Sequence, residues 1–236
     1  MTGCKPLALW LALVLPGAAL AETVTFDVAV AGVQAGSLSV EAKTDGAAYA
    51  ARIVIESSGM VRLLRRVRYE SASEGSYRKG RYVPTRYTES ADSGQRRSEV
   101  RLTYAKGVPQ IEAYAPAPDP EASVVDPAAL GGTLDPATAL FAALRDVAPG
   151  AACTLQARTF DGRRLAQFTL GGAPVSADGL TCQGEYRRLQ GYTPTEMADK
   201  QRFAFTLIYA PAADGQLRVV EVTLDTVFGK ARLTRR

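Results

Sequence analysis

A chain of 236 residues with 47% hydrophobic and 22% charged residues has the composition of a folded globular protein, which excludes a disordered tail or a fibre. Its 28 basic and 24 acidic residues leave a formal charge of +4, too small an excess to argue for nucleic acid, and no nucleic-acid partner is expected. The chain has no His and no Asn, so it lacks the commonest general base, the commonest transition-metal ligand and any N-linked glycosylation acceptor.

Lys5 precedes an apolar run from Leu7 to Leu15, Pro16-Gly17 breaks it, and Ala19-Leu20-Ala21 offers small residues to a signal peptidase. This is the layout of a secretory signal peptide over residues 1–21, cut between Ala21 and Glu22. The stretch Leu7 to Ala21 is shorter than the roughly 20 residues that span a bilayer, so no transmembrane anchor is expected after signal removal. Cys4 lies before the apolar run, where it cannot serve as a lipoprotein cysteine. The mature chain, residues 22–236, is therefore expected in the periplasm as a single domain. Cys153 and Cys182 remain, and in an oxidising compartment they are expected to form a structural disulfide.

From Glu22 the chain alternates as β-strands do: Val24, Phe26, Val28 and Val30 share one face. Leu38 and Val40 resume in a second strand, Asp45-Gly46 turns the chain, and Tyr49, Ala51, Ile53 and Ile55 line a third. Met60 to Arg68 reads as a helical turn or a strand crossover; its four arginines, Arg62, Arg65, Arg66 and Arg68, read as a solvated connection at a sheet rim, with an anion site as the lesser alternative. Tyr69 to Ser73, Tyr82 to Ser90 and Arg96 to Tyr104 are further strands, with Val100, Leu102 and Tyr104 on one face. Pro109 to Asp135 holds five prolines and a Gly131-Gly132 pair, with a strand candidate from Gln110 to Tyr114 and then either a long surface loop or a linker.

A helix follows. Asp135 suits the N-cap and Pro136 the first helical position. Leu140, Phe141, Leu144 and Val147 make one apolar stripe, and Pro149-Gly150 stops the helix. Alternation then returns. Cys153 to Phe160, Asp161-Gly162 and Arg163 to Leu170 predict a hairpin. Strands follow at Leu180 to Leu189, around Phe203 to Tyr209, at Leu217 to Val227 and after Gly229, with turns at Asp178-Gly179 and Asp214-Gly215. The fold class is mainly β: a single antiparallel β-barrel or curled β-roll of about eleven or twelve strands with one packed α-helix at about residues 135–148. The helix is expected to plug the mouth of the sheet, and it and the preceding loop are where a lid over any cavity is expected.

The order of these features resembles the exported bacterial domain of unknown function (DUF) 3108 family. The resemblance is carried by the hairpin Val28-Ala-Val-Ala-Gly32-Val-Gln-Ala-Gly36, the segment Tyr82-Val-Pro-Thr-Arg-Tyr87, the Asp135 to Arg145 helix, Phe160-Asp-Gly-Arg-Arg164 and Thr226-Val-Phe-Gly229. It spans the mature chain and implies a β-rich envelope protein, with no activity and no catalytic residues to carry over.

The motifs of chemistry are few. Ser76-Tyr77-Arg78-Lys79 matches Ser-x-x-Lys but lies between strands without its partner motifs. Asp225 and Glu221 sit at strand spacing and read as exposed sheet charge. No catalytic, metal or cofactor-binding residue is assigned, and no enzyme is indicated. Phe203, Phe205, Leu207 and Tyr209, with Val220, Val222, Leu224 and Phe228, either fill the core or line an apolar cavity. The expected function is a non-enzymatic binding module for an apolar or lipid-like envelope molecule. The alternatives are a structural or assembly factor with an envelope protein partner, acting through the proline-rich loop and basic rim, and a hydrolase without a recognisable motif.

Overall fold

The computed structural model describes residues 20–172 and 179–236. The expected signal peptide lies outside the described residues up to position 19, as does Asp178 of the expected Asp178-Gly179 turn. Ala21 and Glu22, the expected cleavage pair, fall at the start of the first strand.

Seven strands form a meander: β1 (Leu20–Val30), β2 (Val33–Asp45), β3 (Ala48–Ser57), β4 (Arg68–Arg78), β5 (Arg81–Asp92), β6 (Arg97–Ala105) and β7 (Val108–Ala115). A second meander runs through β8 (Gln156–Phe160), β9 (Leu165–Gly172), β10 (Leu180–Gln190), β11 (Arg202–Pro211), β12 (Leu217–Thr226) and β13 (Gly229–Arg235). β13 pairs antiparallel with β1, with Val28 opposite Leu233, so both meanders share one 13-stranded sheet. The described strands thus slightly exceed the expected count. Three short helices interrupt them: α1 (Gly59–Leu64), α2 (Pro136–Leu144) and α3 (Pro194–Asp199).

The sheet is not closed, and β7 and β8 are its edges. The chain between them guards the gap. Leu134 makes a parallel bridge to Thr159: its N–H donates to the Arg158 carbonyl (2.9 Å) and its carbonyl accepts from Phe160 N–H (2.9 Å). Two residues earlier, Gly132 N–H donates to the Gly107 carbonyl at the β6–β7 turn (2.9 Å). The residues leading into α2 thereby occupy backbone groups that an open sheet would leave as a template for aggregation.

α2 lies against β3, β4, β5 and β8 on the inner face. Asp135 caps it by accepting from Thr138 N–H, and Ala137, Phe141 and Leu144 are buried in one core with Val24, Val40 and Tyr49. The helix ends sooner than the apolar stripe predicts. Arg145 is already extended; beyond it Val147 exchanges two backbone hydrogen bonds with Leu217 of β12, and Asp146 is drawn to Arg218 and Arg235. Val147 is buried as expected, but as a β-bridge residue.

Antiparallel connectivity sorts the connections between two ends of the sheet. The β2–β3, β4–β5, β6–β7 and β11–β12 turns gather at one end. The β1–β2, β5–β6, β8–β9 and β12–β13 turns, α1 and α3 gather at the other.

Candidate binding clefts on either side of the helix

α2 divides the interior into two clefts of opposite chemistry. One, of about 490 Å³, opens at the end that carries α3 and the β12–β13 turn; its walls include Tyr186, Phe203, Phe205, Leu224 and Phe228. A smaller cleft of about 220 Å³, floored by Ala139 and Leu140 of α2 and by Phe168, shares Asp161, Arg164 and Tyr186 with it, so the two form one groove. Phe168 and Phe205 stack with centroids 4.9 Å apart. Phe205 lies flat because its β10 neighbour is Gly184: a Cβ there would sit 2.2 Å from the ring.

Cations rim this groove. The Arg188 guanidinium lies 5.1 Å from the Tyr192 ring centroid and 4.9 Å from that of Phe203, and Lys200 lies 5.0 Å from Phe203. Arg164 lies 5.1 Å from Tyr192 and pairs with Glu196, while Arg188 donates to the Glu196 and Lys200 carbonyls at the end of α3. α3 is itself held by a capping box between Thr193 and Glu196. Tyr186 and Tyr192 share a hydroxyl hydrogen bond of 2.8 Å. Burial pushes the phenol of Tyr186 above its ordinary pKa.

The second cleft, of about 400 Å³, opens at the opposite end beside the C-terminus of α2. Arg81, Arg145 and Arg158 line it with Tyr77, Tyr82 and Gln156, and among the described residues no carboxylate does. None of the three arginines forms an ion pair among the described residues, and Arg145 lies 5.8 Å from the Tyr77 ring. Such a lining favours water and anions over hydrocarbon.

Between the clefts lies a sealed polar network. Asp135 Oδ2 accepts from Ser73 Oγ (2.8 Å) and Thr138 Oγ1 (2.7 Å), and Oδ1 accepts from Thr138 N–H (2.8 Å). Because the Thr138 proton goes to Asp135, the Tyr49 hydroxyl donates to Thr138 Oγ1 (2.8 Å). Burial raises the Asp135 carboxyl to about 6 against the lowering effect of these hydrogen bonds. Asp135 and Thr138 are fully buried and Ser73 is 2% exposed, so the serine and carboxylate reach no solvent and act as a helix cap. A second buried set joins Tyr69 and Tyr87 to Glu89, whose carboxyl burial pushes upward.

Cys153 and Cys182 are bonded, with Cα atoms 5.3 Å apart. The bond ties the segment after α2 to the start of β10, beside the polar cleft. The apolar residues read as core or cavity lining divide between the two. Leu207, Tyr209 and Val222 are core, Phe205 belongs both to the core and to the groove wall, and Phe203, Leu224 and Phe228 wall the groove. Val220 departs from its expected face: a bulge opposite Ile208 and Tyr209 turns Val219 inward instead, and Val219 is fully buried. Ser76 lies on β4 and Lys79 in the following turn, far from the buried-helix setting of Ser-x-x-Lys chemistry. Asp225 approaches Lys200 (3.8 Å) and Glu221 pairs with Arg232 (3.1 Å), as ordinary sheet charges. Among the described residues no group of His, Cys, Asp and Glu has the arrangement of a metal site. No helix among them is long and apolar enough to cross a membrane.

Sequence reasoning missed α3 and the aromatic–cation rim. Thr193-Pro194-Thr195-Glu196 carries both the capping box and the first-turn proline that would have located the helix. Nothing local links Ser73 and Tyr49 to Asp135, since it is the packing of α2 against β3 and β4 that brings them together.

Fold and clefts together define a β-rich, barrel-like protein whose curled sheet is plugged by one helix. The chain belongs to the DUF3108 family, proteins of unknown function, whose pattern matches residues 25–232. No curated protein sequence matches it. Among solved structures it is similar to a beta-barrel-like protein of domain of unknown function DUF1849 from Brucella abortus. The match has a TM-score of 0.51 and 10% identity, and covers 92% of this chain and 95% of that one. At that identity the likeness concerns the fold alone.

Proposed function

We propose that the protein is a periplasmic, non-enzymatic binding module that holds an apolar, lipid-like molecule in the groove between α2 and the β12–β13 turn. The observation that carries this reading is the groove itself, about 490 Å³ joined to about 220 Å³, walled by aromatic and aliphatic side chains. That is the scale and lining of a small-molecule site. Its rim supplies Arg188 and Lys200, suited to the polar head of an amphiphile, while the interior between the clefts is sealed by packed core. The periplasmic location is supported by the signal-peptide layout of residues 1–21 and by the Cys153–Cys182 bond.

A long-chain fatty acid with a fluorescent label tests the reading directly. Saturable binding is expected, with affinity falling about tenfold in Leu224→Asp, because a carboxylate would be set into the apolar wall. Absence of saturable binding, or equal affinity in the variant, would sink it. Native mass spectrometry of protein isolated from its own compartment should further show a co-purifying mass.

A further inference from the structure

Among the described α-helices two, α1 and α3, bury no residue, and α1 is the one that turns a stripe of large apolar side chains outward. α1 has no buried residue, yet Met60, Leu63 and Leu64 recur at the i, i+3, i+4 spacing of a single helical face. They are 68%, 81% and 85% exposed. In a monomer such a stripe would normally face the core.

The stripe is not isolated. Ser58 N–H donates to the Ala35 carbonyl (3.0 Å), which seats the start of α1 beside β2. Ala31 N–H donates to the Lys230 carbonyl (2.9 Å), which sets the β1–β2 turn beside the β12–β13 turn. The end of β3, β2, β1, β13 and β12 are successive neighbours in the sheet. Val33 (56% exposed), Val227 (52%) and Phe228 (81%) therefore extend the apolar stripe into an arc along one rim.

The arc is basic. Arg62, Arg65 and Arg66 lie in or directly after α1, and Arg65 binds the Ser93 carbonyl (2.8 Å), which brings the β5–β6 turn and Arg96 alongside. Arg62, Arg66 and Arg96 form no ion pair among the described residues. Of the carboxylates nearby in sequence, Glu56 and Glu70 pair with Arg68 and Asp92 pairs with Arg97. The turns at the other end carry Asp45-Gly46, Lys79-Gly80, Lys106-Gly107 and Asp214-Gly215, with charges of both signs.

We infer that this rim is a docking surface for an anionic lipid bilayer. Apolar tips would enter the interface while arginines bind the acidic headgroups, the division of labour seen in interfacial amphipathic segments. Charge decides between occupants. A second copy docking rim to rim would bring Arg62, Arg66 and Arg96 against their own counterparts, whereas an acidic lipid surface complements them. Phe228 belongs both to the arc and to the groove wall, so docking puts the groove mouth at the membrane. The inference draws on the proposed groove function for its purpose; its chemistry stands on the rim alone.

The test is vesicle flotation with protein purified as the cell processes it. Vesicles of phosphatidylcholine with about a quarter phosphatidylglycerol should bind it, and pure phosphatidylcholine much less. Added salt should weaken binding. Leu63→Asp/Leu64→Asp and, separately, Arg62→Glu/Arg66→Glu should each lower partitioning about tenfold or more. Because α1 is apart from the groove, fatty-acid affinity in solution should be unchanged in both. Equal partitioning of wild type and both variants, or none for wild type at low salt, overturns the docking surface whatever the groove does. Loss of fatty-acid binding with intact flotation counts against the groove instead. A wild-type dimer in sedimentation velocity that Leu63→Asp/Leu64→Asp dissociates would overturn the inference in favour of a contact between copies.

Discussion

At one end of the sheet the connections are tight turns, two of them Lys-Gly pairs with both residues at positive φ, and the segment after α2 is fastened there three ways. The Cys153–Cys182 bond holds it to β10, Val147 is bridged to Leu217, and Asp146 is gripped by Arg218 (2.8 Å) and Arg235 (2.9 Å). The other end carries α1, α3, exposed leucines and a phenylalanine, and most of the apolar groove. Both ends belong to the same strands, so intrinsic strand propensity cannot account for the contrast. It lies in the connections. Fastenings that fix α2 concentrate at the end with the polar cleft, which leaves the opposite end free to expose apolar surface that a stability-driven design would bury.

The sharpest way to break this contrast is to attack the helix both ends share. Phe141 is 4% exposed, stacked on Tyr49 at 5.9 Å and set edge-on to Tyr82 at 5.9 Å. Phe141→Asp removes that packing and buries a charge, at a cost of about 3–5 kcal/mol. Hydrogen exchange should accelerate in β1–β7 and β8–β13 together. Persistent protection in one meander alone would mean that the molecule divides by halves of the chain and not by ends of the sheet. Next in size is the disulfide, whose partners are 29 residues apart. Replacing both cysteines with serine should lower stability by roughly 3 kcal/mol in the chain-entropy account, read by urea denaturation. Fatty-acid affinity should stay within twofold, since the bond is at the far end from the groove.

Much of this architecture was legible from local pattern. Alternation located the hairpins because a residue's face follows from its position in a strand, and the Asp135-Pro136 cap with Leu140, Phe141 and Leu144 located α2. Two cysteines in a chain expected to be exported sufficed for the disulfide. What escaped depends on register or on missing burial. The bulge that exchanges Val220 for Val219 is set by pairing with β11 and leaves no mark on β12 itself. Periodicity near α1 was ambiguous because its apolar residues face out. The groove was legible as an either-or, since Phe205 and Leu207 carry the same pattern whether they meet core or space. Gly184, which decides where the Phe205 ring lies, could be recognised only with the cross-strand partner known.

Gly184→Ala sharpens the contrast from the open end. The new methyl would meet the Phe205 ring, which must swing off β10 into the groove it now walls. Stability should fall by about 2 kcal/mol as the stack on Phe168 is disturbed. Fatty-acid affinity should drop about tenfold through lost space. A variant that keeps wild-type affinity would show that the ligand does not use this wall.

The smallest expected effect is the one that asks what the polar network between the two ends contributes. Burial raises the Asp135 carboxyl to about 6 from an unfolded value of 3.8, so the folded state favours its protonated form more than the unfolded chain does. Its contribution to stability is fully present below the unfolded value and is lost as pH rises through the folded one. Relative to Asp135→Asn, which keeps a side-chain oxygen for Thr138 N–H and does not titrate, wild type should therefore lose about 1–2 kcal/mol between pH 4 and 6.5. Urea midpoints of the two proteins across that range check it. A difference that stays flat would mean that the hydrogen bonds from Ser73 and Thr138 fully offset burial, and that the cap holds its charge without cost. A difference that grows with pH as predicted would mean that α2 is held in place despite its cap carboxylate at neutral pH. In that case the disulfide, the Val147 bridge and the Asp146 ion pairs at the fastened end are what keep the plug seated.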